Sequence, residues 1–246
     1  MSRGELMKSK RILIGKMPSI LWGVPSDRLY LYVHGQHGCK EEAEDFAEIA
    51  VNYGWQVLSI DLPEHGERGA ETNCFDPWHV VPELAEVMDV SKRQWETISL
   101  RANSIGAWFS MLAFEKERLE SCLFVSPILD MHNLIANMMR WADVSRERLE
   151  QEKMIDTNFG HTLSWEYLLY AERHPIATWE FPTRILFGEN EPLTERSTAE
   201  EFACRFHCEM TVMPNGEHWF HTPEQLEFLK QWTYTSFTCV RAEHRH

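Results

Sequence analysis

The run Thr97-Ile98-Ser99-Leu100-Arg101-Ala102-Asn103-Ser104-Ile105-Gly106-Ala107-Trp108 changes character within a few residues. Thr97–Leu100 is short and reads as a strand, whereas Ser104–Lys116 spaces its apolar side chains as a helix does. Strand therefore passes into helix across one tight turn, with Ser104 at the corner. Ala102 and Gly106, two residues before and two after that serine, keep the flanks small where bulk would not fit.

The same change of period recurs in both directions. Upstream, Arg11–Lys16 and Ser19–Val24, separated by Met17-Pro18, suggest a hairpin, and Arg28–Val33 is a strongly apolar strand running into His34-Gly35. Glu41–Asn52 follows as a helix with Ala43, Phe46, Ala47, Ile49 and Ala50 on one face and Gly54 as its stop. Trp55–Ile60 is the next strand and Val80–Val90 the next helix. Downstream, Cys122–Val125 reads as a strand. Leu129–Trp179 then shows helical spacing (Leu134, Ile135, Met138, Met139; later Leu163, Tyr167, Leu168, Tyr170) and no strand, so a helical insertion is expected there. The alternation resumes with a strand at Thr183–Phe187, a helix near Thr198–Phe206, a strand at Glu209–Met213 and a helix from Pro223 to about Thr235. Arg241–His246 is expected to fray. Parallel strands need crossovers of this kind, so the fold class is α/β, with a mostly parallel central sheet covered by helices on both faces.

With 246 residues the chain sits between one large domain and two small ones. Apolar types make up 43% and charged types 25%, and only 12 glycines and 11 prolines are present, which excludes disorder, collagen and coiled coil. No apolar run approaches the roughly 18 residues that span a bilayer. The formal charge of −14 repels phosphate backbones and anionic lipid surfaces, so neither nucleic acid nor a membrane is an expected partner. Met1–Lys16 is basic, but its apolar stretch Ile12–Ile14 is too short for a signal sequence and no small-residue cleavage site follows; a cytoplasmic protein with reduced cysteines is expected. Cys204 and Cys208, with His207 between them, have no CxxC partner or second ligand cluster and read as buried small hydrophobes.

In a sheet of this kind functional side chains gather on the loops leaving the carboxyl ends of the strands. Four such loops are informative. Ala102-Asn103-Ser104-Ile105-Gly106 has the pattern of a nucleophile elbow, in which the serine oxygen is lifted to the top of the sheet. Standing alone, Ser104 reads as a helix N-cap. His34-Gly35-Gln36-His37-Gly38 is a glycine-rich turn able to aim a backbone N–H at a developing oxyanion, the second donor being the N–H of Ile105. Gly188-Glu189-Asn190-Glu191 offers a carboxylate, and Gly216-Glu217-His218 offers a base. The chain order Ser104, Glu191, His218 is nucleophile, acid, base.

On these motifs the sequence resembles the α/β-hydrolase family, from Arg28 to the final helix. The resemblance implies the α/β-hydrolase fold with a helical cap, here about residues 129–179, inserted after the sixth strand. It implies Ser104 as nucleophile, His218 as general base, Glu191 as the acid and the backbone of Gln36 and Ile105 as the oxyanion hole, with no metal and no cofactor. Asp61-Leu62-Pro63-Glu64-His65-Gly66 is similar to a site-shaping loop of the family. Ala102 replaces the usual glycine and Glu191 the commoner aspartate. The strands on either side of the insertion supply parts of one site, so residues 1–246 read as a single domain interrupted by a cap.

Alternatives accompany these assignments. Glu189 lies beside Glu191, and Asp130, just after Cys122–Val125, is a second candidate for the acid. His34, His37 and His65 form a conceivable metal set but lack ligand spacing, and loop-fixing roles are expected for them. Met138, Trp141 and Trp165 are candidates to line a substrate pocket beneath the cap, which favours an uncharged acyl or aromatic ester. The implied activity is hydrolysis of a small-molecule carboxylic ester through an acyl-serine. A serine aminopeptidase-like or acylglycerol lipase-like enzyme and a non-catalytic ligand-binding member of the fold remain open, as does the oligomeric state.

Overall fold

The computed structural model describes residues 7–243, and side chains as far as residue 238. The parts of the Met1–Lys16 and Arg241–His246 readings that fall on residues 1–6 and 244–246 lie outside the described residues. The chain opens with β1 (Ser9–Ile14) and β2 (Met17–Trp22), an antiparallel hairpin whose turn uses Gly15 at φ +56°. This places the turn two residues earlier than Met17-Pro18, because only Gly15 accepts the left-handed conformation without strain. Next come β3 (Arg28–Val33), α1 (Glu44–Ala50, flanked by single 3₁₀ turns), β4 (Gln56–Ile60), α2 (Pro77–Lys92), β5 (Thr97–Asn103), α3 (Ile105–Phe114) and β6 (Cys122–Val125). After the insertion follow β9 (Thr183–Gly188), α7 (Arg196–Arg205), β10 (Glu209–Met213) and α8 (Pro223–Glu243).

The eight-stranded sheet has the order β1-β2-β4-β3-β5-β6-β9-β10. From β4 to β10 every neighbouring pair is parallel; β2 joins β4 antiparallel. Central strands are buried along their whole length, as expected for a sheet covered on both faces. Alternation decides which side chain meets which layer. Leu29, Leu31 and Val33 of β3, Leu100 and Ala102 of β5, and Phe124 of β6 join the core beneath α2, α3 and α7. Tyr30 and Tyr32 of β3, with Leu123 and Val125 of β6, join the core beneath α1 and α8.

The insertion between β6 and β9 contains α4 (Met131–Trp141), α5 (Arg146–Glu152), β7 (Met154–Asp156), β8 (Thr162–Ser164) and α6 (Trp165–Arg173). It is not wholly helical: β7 and β8 pair as a separate antiparallel ribbon, Ile155 opposite Leu163. The main sheet closes beneath it, with β6 and β9 paired directly from Cys122↔Thr183 to Val125↔Leu186. Among the described residues no helix is long and apolar enough to cross a membrane.

Candidate active site

The corner after β5 is built from both sides. Ser104 N–H donates to the Val125 carbonyl at 3.0 Å, extending the β5–β6 ladder by one bond. The chain then turns at φ +50°, ψ −125°, a region that costs a non-glycine residue energy and persists only where its surroundings enforce it. Here the Ser104 carbonyl accepts the N–H groups of Ala107 and Ile128, each at 3.1 Å. Gly106 permits the close approach of α3 to the end of β3: a Cβ there would lie 2.9 Å from the Val33 carbonyl oxygen and closer still to that of His34. The loop after β3 also lies against the serine, since a Cβ on Gly35 would meet Ser104 Cβ at 3.0 Å.

Ser104 Oγ lies 2.8 Å from His218 Nε2, and His218 Nδ1 lies 2.6 Å from Glu191 Oε2. The Glu191 side chain is wholly buried and that of His218 is 21% exposed. One neutral tautomer satisfies both contacts: Nδ1–H donates to the carboxylate, leaving the Nε2 lone pair to accept the serine hydroxyl. The carboxylate is held at its other oxygen too, where Oε1 accepts the Leu193 N–H at 2.8 Å. Acid and base loops cross in contact. Asn190 N–H donates to the Gly216 carbonyl at 2.8 Å, and a Cβ on Gly188 would lie 2.6 Å from that same oxygen.

Ile105 is the first residue of α3, so its N–H has no intrahelical acceptor. Gln36 sits on the loop that abuts Ser104. That loop is fixed by two histidines. His34 Nδ1–H donates to the Gly35 carbonyl at 2.7 Å while Nε2 accepts the Leu62 N–H at 3.1 Å. His65 Nδ1–H donates to the Pro63 carbonyl at 2.7 Å while Nε2 accepts the His37 N–H at 2.8 Å. Burial pushes the His34 imidazole down to about 4, so it is neutral at physiological pH. All four of these ring nitrogens are engaged with backbone, and among the described residues no group of three or more His, Cys, Asp or Glu is arranged to hold a metal ion.

Beneath the loop, Asp61 and Lys40 form a buried ion pair at 2.7 Å, and Asp61 also accepts the N–H groups of Lys40 at 2.9 Å and Glu67 at 3.0 Å. Burial alone would raise the Asp61 carboxyl, but the ammonium and the two N–H donors outweigh it and hold the group below its ordinary value. Gly66 passes so close to this carboxylate that no side chain fits there.

The other candidates fall elsewhere. Asp130 is exposed and caps α4, accepting the Asn133 N–H at 2.9 Å. Glu189 accepts the Asn215 N–H at 2.9 Å at the surface. Trp141 is half exposed against Phe159, and Trp165 is covered by Arg146 and Lys153 at 5.0 and 5.6 Å from its ring. Met138 packs against the core as a partly buried side chain. The insertion instead reaches α3, the helix that follows Ser104, through Tyr167, which stacks on Trp108 of α3 at 5.9 Å and meets Trp78 of α2 at 6.0 Å. Helical spacing singles out Tyr167 in the sequence, but core packing accounts for that spacing equally well. The cysteine reading needs correction: Cys204 is exposed on the outer side of α7, and Cys208, in the turn after it, is only half-buried. Two crevices, of about 350 and 590 Å³, open between the insertion and α7 and beside Trp179; neither is lined by Ser104, Glu191 or His218, so side-chain geometry rather than cavity size marks the candidate site.

No family model matches the chain, and no curated protein matches it by sequence. Solved structures do. Est1E from Butyrivibrio proteoclasticus, with ferulic acid bound, superposes with a TM-score of 0.73 at 17% identity, over 95% of this chain and 99% of that one. The Pyrococcus furiosus esterase Pf2001 gives 0.67 at 17% identity, over 98% and 92%. The mouse alpha/beta hydrolase domain-containing protein 10 gives 0.74 at 11% identity, over 95% and 99%. Likenesses at such low identity carry the architecture alone, and with the mostly parallel sheet, its flanking helices and the strand order above, the chain has the α/β-hydrolase fold.

Proposed function

We propose that the protein is a serine hydrolase that cleaves carboxylic esters of small or medium, largely uncharged acyl groups. The observation that carries this reading is the continuous hydrogen-bonded line from Ser104 Oγ through His218 to a fully buried Glu191 carboxylate. A serine hydroxyl is a poor nucleophile at neutral pH, and an imidazole with a reference pKa of about 6.5 is suited to take its proton. His218 Nε2 accepts that proton as Ser104 Oγ bonds to the ester carbonyl carbon. The electron pair moves to the carbonyl oxygen, where the N–H groups of Gln36 and Ile105 are the proposed donors. The intermediate collapses, the alcohol leaves with the proton from Nε2, and Ser104 is left acylated. Water then repeats the sequence, with His218 as base, and releases the carboxylic acid. Glu191 keeps the imidazole in the required tautomer and stabilises the imidazolium.

The esterase neighbours support an ester substrate, and the aromatic contacts of the insertion support an apolar acyl group. The site takes Ser104 from before the insertion and Glu191 and His218 from after it, which supports one catalytic unit interrupted by that segment. The test is labelling with a fluorophosphonate probe. Wild-type protein is expected to label and Ser104→Ala not to; equal labelling of both, or none of the folded wild type, refutes the assignment.

A further inference from the structure

The turn 35–38, between β3 and α1, carries a strained residue. Gly38 N–H donates to the Gly35 carbonyl at 3.2 Å, and His37, third in the turn, stands at φ +65°. Positive φ at that place is the mark of a type II turn, where glycine is the usual occupant, and any other residue persists there only when its surroundings enforce it. The contact that holds His37 is made by its own N–H, which donates to His65 Nε2 at 2.8 Å. The same turn abuts the elbow, a Cβ on Gly35 lying 3.0 Å from Ser104 Cβ.

That contact exists for only one state of the His65 ring. Nδ1–H donates to the Pro63 carbonyl at 2.7 Å, so the neutral ring carries its lone pair on Nε2, facing His37. A further proton can enter only at Nε2. It turns the acceptor into a donor aimed at another donor, while the Pro63 bond is untouched. The ring is buried, packed on Phe75 at 4.4 Å, with the rings of His34 and His37 at 5.2 and 6.4 Å. His34, its pKa pushed by burial down to about 4, adds no charge above that pH. The ions around the loop are engaged with one another. Lys40 pairs with Asp61 and Glu67, and Arg68 with Glu71 and Glu83. On the Phe75 side, Glu64 Oε1 accepts the N–H groups of Cys74 and Phe75 at 2.7 and 3.1 Å, and Asp76 engages His79.

We propose that His65 is a positioning residue that latches the turn 35–38: with the ring neutral, Nε2 holds the His37 N–H and keeps Gln36 in register with Ile105, and with Nε2 protonated the turn is released and hydrolysis falls. The task given to Gln36 rests on the proposed function; the latch between His65 and His37 does not. His65 acts only through His37 and takes no part in bond-making. Once Nε2 carries a hydrogen, the His37 N–H has to turn away from it, His37 leaves its left-handed conformation, and the peptide joining it to Gln36 rotates. Gln36 then shifts against Ile105, and a misplacement of about 1 Å between groups that act together can cost about 100-fold in rate. The latch therefore adds acid sensitivity to that of His218, whose own protonation stops it acting as a base.

Two measurements test it. In the wild-type protein, NMR follows the His65 ring and the His37 amide from about pH 8 to about pH 4.5. The amide is expected to shift with the same midpoint as the ring and to exchange with solvent faster below it. A ring that titrates while the amide stays unmoved, or one that does not titrate in this range, overturns the latch. In the second, kcat/KM for 4-nitrophenyl butyrate is followed over the same range in wild type and in His65→Gln, whose amide oxygen can accept the His37 N–H but does not titrate. Each profile is scaled to its own value at the alkaline end, so a change of rate there does not enter. Wild type is expected to fall about 100-fold further than His65→Gln at the acid end, and parallel profiles overturn the proposal. The NMR measurement needs no substitution at His65 and decides alone should His65→Gln not fold. Fluorophosphonate labelling separates the two readings: an unlabelled, folded wild type sinks the serine assignment and leaves the latch to be judged on the His37 amide, whereas labelling with parallel profiles sinks only the role of His65.

Discussion

Replacing Gly106 by alanine tests whether the elbow is held in place by contact with β3. The added Cβ would stand 2.9 Å from the Val33 carbonyl oxygen, where ordinary contact begins at 3.4 Å, and it would press harder still on the His34 carbonyl. Both obstacles are backbone, so neither can rotate away, and relief requires the start of α3 to recede from the end of β3 by about 1 Å, a misplacement that can cost about 100-fold in rate. Overpacking of this kind costs about 1–3 kcal/mol of stability. The movement also separates the two proposed oxyanion donors, Ile105 on α3 and Gln36 on the loop after β3. Loss of one such donor lowers turnover by about 10²–10³. Urea unfolding of Gly106→Ala is therefore expected to show a loss of about 2 kcal/mol. Hydrolysis of 4-nitrophenyl butyrate is expected to fall about 100-fold in kcat, with slower fluorophosphonate inactivation. Wild-type stability with wild-type turnover would refute the packing argument. A loss of stability with kcat intact would refute the link from that contact to the oxyanion site.

Two further outcomes follow from the same geometry. Glu191→Gln is expected to lower turnover by about 10⁴ by misassigning the His218 tautomer, whereas Asp130→Asn should stay within about twofold because asparagine caps a helix as well as aspartate does; steady-state kinetics giving the reverse order would move the acid to Asp130. His34 is buried neutral with its pKa held at about 4, so the unfolded chain takes up a proton first as pH falls. The stability this neutral ring contributes is complete above about pH 6.5, is lost progressively down to about pH 4, and amounts to about 3 kcal/mol in full. Urea unfolding between pH 7 and 4 is expected to show a shallower decline for His34→Gln than for wild type, and parallel profiles would contradict the assignment.

Much of the core was legible because burial and period coincide there. Leu29–Val33 and Cys122–Val125 are short runs of apolar and aromatic residues buried along their whole length, as suits strands covered on both faces. The constellation was legible for a different reason: each of Ser104, Glu191 and His218 follows a strand end, so topology alone assembles them. The insertion was less so. Met154–Asp156 and Thr162–Ser164 bury one residue each, Ile155 and Leu163, and three residues are too few to display a period of two. Helix α2 begins at Pro77, three residues before the expected Val80, behind an Asp76 cap and a first-turn proline; Trp78 and His79 of that first turn lie off the buried apolar face that the spacing marks. Whether Trp141 or Tyr167 faces inward depends on the tertiary path of α4 and α6, which spacing on either helix does not contain.

The direct pairing of β6 with β9 has an evolutionary consequence. No ladder bond of the main sheet passes through the insertion, so its length, its ribbon and its aromatic residues are free to drift without disturbing the register that aligns serine, acid and base. Under the proposed function, substrate range and bond-making are thus inherited on separate parts of the chain. On that same reading, grafting a foreign segment between Asp130 and His174, which keeps the Ile128 bond to the Ser104 carbonyl, is a route to new acyl preferences that leaves Ser104, Glu191 and His218 where they are.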